Sequence, residues 1–155
     1  MTENRRSAAS DLKRHTGFWL RFVSNHVSHA FARKVAASAV TVAEWVILRE
    51  MYGHDEVSPS AIATQTGLTR GTVSKLIDRL LAKKLVTRED RTDDRRFQRV
   101  ALTAEGKRLV PKLAALADRN DLEFFSVLTE QEREALTAAL KRLVTANKLT
   151  KVPVD

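Results

Sequence analysis

The sequence predicts a mainly α-helical fold with one small β-hairpin. Three observations predict it: apolar residues recur at three- and four-residue spacing, serine and threonine caps separate the helical segments, and residues 97–102 have the pattern of a strand with Gln98, Val100 and Leu102 on one face. The chain has 155 residues and is 43% hydrophobic, enough for the core of a single domain spanning residues 1–155.

Composition narrows the class of protein further. The chain has no cysteine, which excludes disulfides and thiol catalysis, and its longest apolar run is the five residues 113–117, too short to span a membrane. Residues 69–99 carry ten basic and five acidic side chains, whereas residues 100–155 carry nine and eight. A concentrated basic segment favours a polyanionic partner such as nucleic acid, and a solvated basic surface is the alternative.

The N-terminal part predicts two helices. Residues 10–34 form a long amphipathic helix whose apolar positions are Leu12, Trp19, Phe22, Val23, Val27, Ala30 and Phe31. The next helix starts at Thr41, because Glu44 follows three residues later in the capping-box arrangement, and it ends at Gly53.

Two shorter helices follow and form a predicted helix-turn-helix. Ser58 and Pro59 open the first helix, Gly67 ends it, and Thr69 caps the second. A glycine-containing turn between two short helices is typical of a helix-turn-helix. The second helix has a predicted buried stripe formed by Val73, Leu76, Ile77 and Leu80.

A β-hairpin and two long helices complete the chain. Residues 85–88 and 97–102 are predicted strands joined by a loop at 89–96. Thr103 caps a helix reaching residue 128 that Pro111 should kink, and Thr129 with Glu132 forms a second capping box. The apolar stripe of the last helix is Leu136, Leu140, Leu143 and Val144.

Together these elements predict a winged helix-turn-helix lobe over residues 41–102. The flanking helices, 10–34 and 104–147, carry more apolar surface than so small a lobe can cover. We therefore expect them to be dimerisation helices that bury this surface against a second copy, giving a homodimer.

The second helix of a helix-turn-helix lies in the major groove of DNA. We predict that its contacts are Thr69, Arg70, Gly71, Thr72, Ser74, Lys75 and Arg79. Glycine permits close approach of the backbone to a phosphate, threonines at the helix N-terminus bind phosphate with help from the dipole, and arginine or lysine contacts bases or phosphates. In the wing, we expect Arg95 or Arg96 to enter the minor groove, Asp94 to orient Arg96, and Arg88 to lie near flanking phosphates.

The segment 85–106, LVTREDRTDDRRFQRVALTAEG, resembles the wing and following helix start of the MarR family of bacterial transcription regulators. The matching residues are Leu85, Val86, Arg88, Asp94, Arg96, Val100, Leu102, Thr103 and Gly106. The upstream helix-turn-helix and the element order over residues 10–147 are also similar to that family. Lys84 departs from the pattern, because the family usually has glycine there; it predicts either a left-handed residue, at about 1 kcal/mol, or a different helix end.

The resemblance implies a homodimer that binds a pseudo-palindromic operator on double-stranded DNA, commonly as a repressor in the bacterial cytoplasm, associated with the nucleoid when bound. Half-sites should lie about 10 bp apart. It also implies that small, often aromatic, ligands release the DNA by binding between the dimer helices and the DNA-binding lobe.

Trp19, Phe22 and His26 share a face of the first helix, and Trp45 lies in the second. They could form an aromatic pocket in which Arg21 meets a ligand carboxylate, or they could be ordinary core residues. His26 with His29, and Asp11 with His15, have the spacing of metal ligands, although no denser cluster occurs; histidines packed near the dimer interface are the alternative. We predict no metal site and no cofactor.

The sequence also bears on functions other than DNA-dependent regulation. The chain has no phosphate-binding glycine loop, nucleophile elbow or HExxH motif, which argues against an enzyme. Two further alternatives stay open: a winged-helix module that binds protein, and a DNA-binding regulator without a small-molecule effector.

Overall fold

The computed structural model describes residues 9–90 and 98–151. In chain order the elements are α1 (Thr16–Ala36), α2 (Val42–Met51), α3 (Pro59–Thr66), α4 (Arg70–Ala82), β1 (Val86–Asp90), β2 (Gln98–Leu102), α5 (Ala104–Phe125) and α6 (Glu130–Ala146). This order confirms the mainly α-helical class with one β-hairpin. In these two described segments, none of the helices combines the length and the apolar character needed to cross a membrane.

The first helix begins later than the sequence predicted. Asp11 accepts a hydrogen bond from the backbone N–H of Lys13 and caps a separate 3₁₀ turn over Leu12–Arg14. His15 then adopts an extended conformation, and α1 starts at Thr16. The prediction of one helix from residue 10 was therefore wrong in its first turns, because a short polar side chain bonded to nearby backbone competes with helix formation.

The caps of the helix-turn-helix lie where the sequence placed them. The Ser58 hydroxyl accepts a hydrogen bond from the Ala61 backbone N–H, and the Thr69 hydroxyl accepts one from the Thr72 backbone N–H, at 3.1 Å in both cases. Gly67 ends α3 in the left-handed conformation, with φ of 72°. These local bonds fix where α3 stops and α4 starts, and so they define the turn between the two helices.

The wing is an antiparallel pair in which Val86 lies opposite Leu102 and Asp90 lies opposite Gln98. The predicted loop at 89–96 was wrong in its first two residues, since β1 continues through Glu89 and Asp90. Glu89 lies opposite Arg99, a pair of opposite charges that favours continued strand pairing.

Lys84 connects α4 to the wing in a left-handed conformation, with φ of 59°. This confirms one of the two conformations that the sequence predicted for a lysine in place of glycine. The backbone N–H of the next residue, Leu85, donates to the Leu80 carbonyl at 3.0 Å, so the chain turns sharply before β1 begins.

The core of the lobe confirms the predicted stripe of α4. Val73, Leu76, Ile77 and Leu80 are all buried. The second half of α1 and the first half of α5 pack on the same core, whose buried members are Phe31, Val35, Val40, Ile47, Leu48, Met51, Ile62, Ala63, Val73, Leu76, Ile77, Leu80, Leu85, Val86, Val100, Leu102, Val110 and Leu113.

The outer helices expose large apolar side chains. No residue of α6 is buried, although Thr129 and Glu132 form the predicted capping box at its start. The exposed set on α1 and α6 is Trp19, Leu20, Phe22, Val23, Leu136, Leu140, Leu143 and Val144. α5 ends at Phe125, three residues earlier than predicted. The chain by itself therefore leaves the predicted surplus of apolar surface uncovered.

Candidate nucleic-acid interface

α4 presents a polar face directly opposite its buried stripe. Gly71, Ser74, Lys75 and Arg79 are exposed on this face, and Arg70 is exposed at its first turn. Within the described segments, none of the three cations Arg70, Lys75 and Arg79 takes part in an ion pair. Their charges are therefore available to an anionic partner.

The N-terminus of α4 brings together the hydroxyls of Thr69 and Thr72. The Thr69 hydroxyl accepts a hydrogen bond from the Thr72 backbone N–H, and the two hydroxyls are 2.9 Å apart. Because the bond between them uses only one hydroxyl hydrogen, the other hydrogen can be donated to a phosphate oxygen. The positive end of the helix dipole favours an anion at the same place.

Gly71 lies in the first turn of α4 with open space around it. A Cβ added there would meet no atom within 4 Å. Packing within the chain therefore does not require glycine at this position, which leaves close approach of an external molecule as a reason for its small size.

Arg88 on β1 forms an ion pair with α4. Its Nη2 donates to the Asp78 carboxylate on α4 at 2.7 Å, and the two side chains are 27% and 60% exposed. This pair was not predicted from the sequence. Its members are ten residues apart on two different elements, so neither helical nor strand periodicity connects them. The contact orients the Arg88 guanidinium and fastens the base of the wing to α4.

The wing tip carries the remaining predicted contacts. Asp94, Arg95 and Arg96 lie outside the described residues, so their predicted roles stay predictions. Arg99, on β2, is exposed and lies opposite Glu89 in the hairpin.

The candidate ligand residues separate into two groups. The rings of Phe22 and His26 have centroids 4.8 Å apart, and those of Trp19 and Phe22 are 6.5 Å apart. Trp19 and Phe22 are each about half exposed, at 49% and 51%, so they are not core residues of the single chain. Arg21 lies beside them and is exposed.

Trp45 lies apart from this cluster. It is partly buried and packs against Phe31, with ring centroids 6.3 Å apart. Phe31 is twelve residues beyond Trp19 on α1, which is about 18 Å along the helix axis. The structure of one chain thus unites Trp19, Phe22 and His26 but assigns Trp45 to the lobe core.

Asp11 and His15, one of the two pairs with metal-ligand spacing, have other partners. The Asp11 carboxylate caps the 3₁₀ turn, and the His15 ring contacts the Ser10 hydroxyl and the Leu12 carbonyl. Across the part of the chain that the structure describes, no three His, Asp or Glu side chains converge as metal ligands.

Comparison with known proteins gives consistent matches. A family model described as the MarR family matches residues 40–96, which contain the helix-turn-helix and most of the wing. The chain is 28% identical over 128 residues to a Thauera aromatica protein assigned to transcriptional regulation of the hcr operon, covering 82% of this chain and 77% of the other.

Two solved structures share the fold over most of their length. Bordetella bronchiseptica BpsR, whose DNA binding is regulated by 6-hydroxynicotinic acid, has a TM-score of 0.78 and 26% identity, covering 88% of this chain and 99% of that one. MepR from S. aureus, solved in complex with DNA, has a TM-score of 0.77 and 25% identity, covering 85% and 98%.

Proposed function

We propose that this chain is a DNA-binding transcriptional regulator of the MarR family and that it acts as a homodimeric repressor released by a small aromatic ligand. The family match over residues 40–96, the curated regulator of similar sequence and the two solved regulators of similar fold support this proposal. The observation that carries the proposal is the exposed basic face of α4, whose cations have no ion-pair partner among the described residues. In the bacterial cytoplasm, such a face is complementary to the phosphates and base edges of operator DNA.

In this proposal α4 lies in the major groove. Arg70 and Lys75 contact bases or phosphates, while Thr69 and Thr72 hold a phosphate at the N-terminus of the helix. Ser74 and Arg79 lie along the same exposed face, and Gly71 allows the backbone to approach the DNA.

The wing supplies the second set of contacts. Arg95 or Arg96 enters the adjacent minor groove, and Asp94 orients the Arg96 guanidinium. Arg88 contacts a flanking phosphate, and Asp78 fixes its direction through the 2.7 Å bond. A guanidinium has five N–H donors, so the bond to Asp78 leaves donors for the phosphate.

The homodimer is supported by the uncovered apolar faces of α1 and α6. A groove of about 650 Å³ between α5 and α6 is lined by Phe125, Leu136 and Leu140 together with charged side chains. A second copy that filled this groove would remove these leucines from water, which stabilises association by roughly 25 cal/mol per Å² of apolar surface. Two copies related by a two-fold axis would then present two α4 helices to consecutive major grooves.

The ligand response is supported by the aromatic cluster at the start of α1. Trp19, Phe22 and His26 offer half-exposed ring faces, and Arg21 is close enough in sequence to meet a carboxylate. The regulation of BpsR by 6-hydroxynicotinic acid, an aromatic acid, makes this the first class of compound to screen. We place Trp45 in the supporting core behind the site, given its contact with Phe31.

The test is selection of bound sequences from random duplex DNA at near-physiological salt. We expect an inverted repeat with half-sites about 10 bp apart, because two α4 helices of a dimer lie one helical turn apart. A charge-swapped variant, Arg95→Glu with Arg96→Glu, should lose this binding, while Lys151→Glu, a charge change beyond the end of α6, should retain it. Salt-sensitive binding without sequence preference would contradict the proposal.

A further inference from the structure

Glu44, at the start of α2, is buried although it carries a charge. Among the described residues it is the only buried charged side chain, with 1% of its surface exposed. Its Oε2 accepts hydrogen bonds from the Thr41 backbone N–H at 2.9 Å and from the Lys83 ammonium at 2.7 Å. The first bond belongs to the capping box, so the second bond needs a separate explanation.

The capping box at α6 shows what the cap alone requires. There Glu132 accepts a hydrogen bond from the Thr129 backbone N–H at 2.8 Å, in the same arrangement as Glu44 and Thr41. Glu132 is exposed, and no ion pair to a lysine is present at this box within the described part of the chain. A glutamate can therefore cap a helix in this protein without burial and without a cation.

Lys83 connects three parts of the lobe. It is the C-cap residue of α4, and its ammonium donates to Glu44 and to the Ala39 carbonyl, each at 2.7 Å. Ala39 lies in the turn between α1 and α2 and has φ of 55°, while Lys84, the next residue after Lys83, has φ of 59°. One side chain thus holds together two turns that each contain a left-handed non-glycine residue.

The ionisation of the pair follows from its surroundings. Burial raises the pKa of the Glu44 carboxyl, but hydrogen bonds from Lys83 and Thr41 and the charge of Lys83 lower it, and the net pKa lies below the ordinary value of 4.5. Glu44 is therefore ionised at neutral pH, and its contact with Lys83 is an ion pair. A buried ion pair is weak evidence for stability, and fixing the geometry of its surroundings is its better-supported role.

We propose that the Lys83–Glu44 pair is a positioning contact, which fixes the direction of α4 and the wing relative to α2 and the turn before it, and so raises affinity for operator DNA without touching the DNA. The contact lies at the junction from which the wing departs, because Leu85 and β1 follow directly after Lys84. The inference rests on the proposed function, since it assumes an operator that α4 and the wing bind together.

The rival role for Lys83 is a phosphate contact, which its place in the basic segment would suggest from sequence alone. Its ammonium already has two oxygen acceptors at 2.7 Å, and its side chain is 35% exposed. Lys75, by contrast, is exposed and makes no ion pair with a described residue. The two lysines are therefore expected to differ in how their loss changes the salt dependence of binding.

The experiment measures the dissociation constant for the selected operator by fluorescence anisotropy across a range of salt concentrations. The variants are Glu44→Gln, Lys83→Met, the double variant and Lys83→Arg. Glu132→Gln is the matched control for a weakened capping box, and Lys75→Met is the control for a lost phosphate contact. Circular dichroism at the assay temperature establishes that each variant is folded.

We expect Glu44→Gln and Lys83→Met each to weaken binding by roughly two- to thirty-fold, with the salt dependence unchanged. The double variant should bind the operator no more weakly than whichever single variant has the lower affinity. Lys83→Arg should keep most of the wild-type affinity, because arginine can pair with Glu44. Glu132→Gln should bind like the wild type, and Lys75→Met should reduce the salt slope by about 1.

Lys83→Met leaves a buried carboxylate without a partner and could fail to fold. Glu44→Gln and the double variant keep the test valid, because neither leaves a buried unpaired charge. Wild-type affinity for Glu44→Gln, or a reduced salt slope for Lys83→Met, would overturn this inference alone. A wild-type protein that selects no operator sequence would overturn the proposed function, and the inference with it.

Discussion

At Gly106, in the first turn of α5, intrinsic helix propensity and packing predict opposite effects of a substitution by alanine. On propensity alone, Gly106→Ala should stabilise the helix by up to about 1 kcal/mol. In the structure, a Cβ there would fall well inside the 3.0 Å limit of real contacts with the Leu85 carbonyl oxygen, and it would lie 3.3 Å from Leu102 Cδ2. The first neighbour is backbone, so it cannot move aside by changing rotamer.

The expected loss of stability depends on the hydrogen bonds that the Leu85 carbonyl accepts. Its carbonyl accepts hydrogen bonds from the Thr103 backbone N–H and from the Thr103 hydroxyl, both at 3.1 Å. Overpacking costs about 1–3 kcal/mol, and weakening two hydrogen bonds adds about 1 kcal/mol each. After the propensity gain of about 1 kcal/mol is subtracted, Gly106→Ala should lower the free energy of unfolding by about 2–4 kcal/mol.

Urea unfolding followed by circular dichroism measures this difference. Both proteins must be compared at one concentration, because association shifts apparent stability. Gly71→Ala is the matched control: it also lies in the first turn of a helix, but a Cβ there meets nothing within 4 Å, so it should be stabilising. Equal or greater stability of Gly106→Ala relative to wild type would refute the steric argument.

Two further predictions concern the lobe junction. Lys84→Gly should raise the free energy of unfolding by about 1 kcal/mol in urea titrations, because Lys84 is left-handed at φ of 59° and glycine adopts that conformation without a Cβ clash; an unchanged or lower value would contradict this. The second prediction concerns pH. The pKa of the Glu44 carboxyl is lower in the folded state than its ordinary value of 4.5, so ionised Glu44 stabilises the fold above that value. This stabilisation is lost as the pH falls through the pKa of the folded state. Thermal melts of wild type should therefore lose more stability below about pH 4.5 than those of Glu44→Gln, and parallel losses would count against the ion pair with Lys83.

Features that depend on neighbours in sequence were predicted well. Thr41, Ser58, Thr69 and Thr129 all cap helices as predicted, because a cap is a bond between a side chain and a backbone N–H two or three residues away. The buried stripe of α4 could be predicted equally well, since helical periodicity places its members on one face.

Features that depend on contacts between elements were not predicted. Arg88 was assigned to phosphates without its partner Asp78, and Lys83 was given no role, because neither ion pair has a sequence spacing that would reveal it. Trp45 was grouped with Trp19 and Phe22 as a pocket residue, with core packing as the alternative, and it packs on Phe31 instead. Helical periodicity shows which residues share a face, but it does not show where along α1 the second helix makes contact.

The distribution of the core along the chain has a consequence for folding during synthesis. Among residues 9–90 and 98–151, the buried members of the hydrophobic core all lie between Phe31 and Leu113, and α6 contributes none. The DNA-binding lobe can therefore complete this core before the segment that contains α6 has left the ribosome. α6 emerges afterwards as a helix of 17 residues, none of which is buried, and it is close to the length at which isolated helices are marginal in water. Its helical state should consequently depend on the concentration of the protein, so the end of the chain matures in a separate and later step than the lobe.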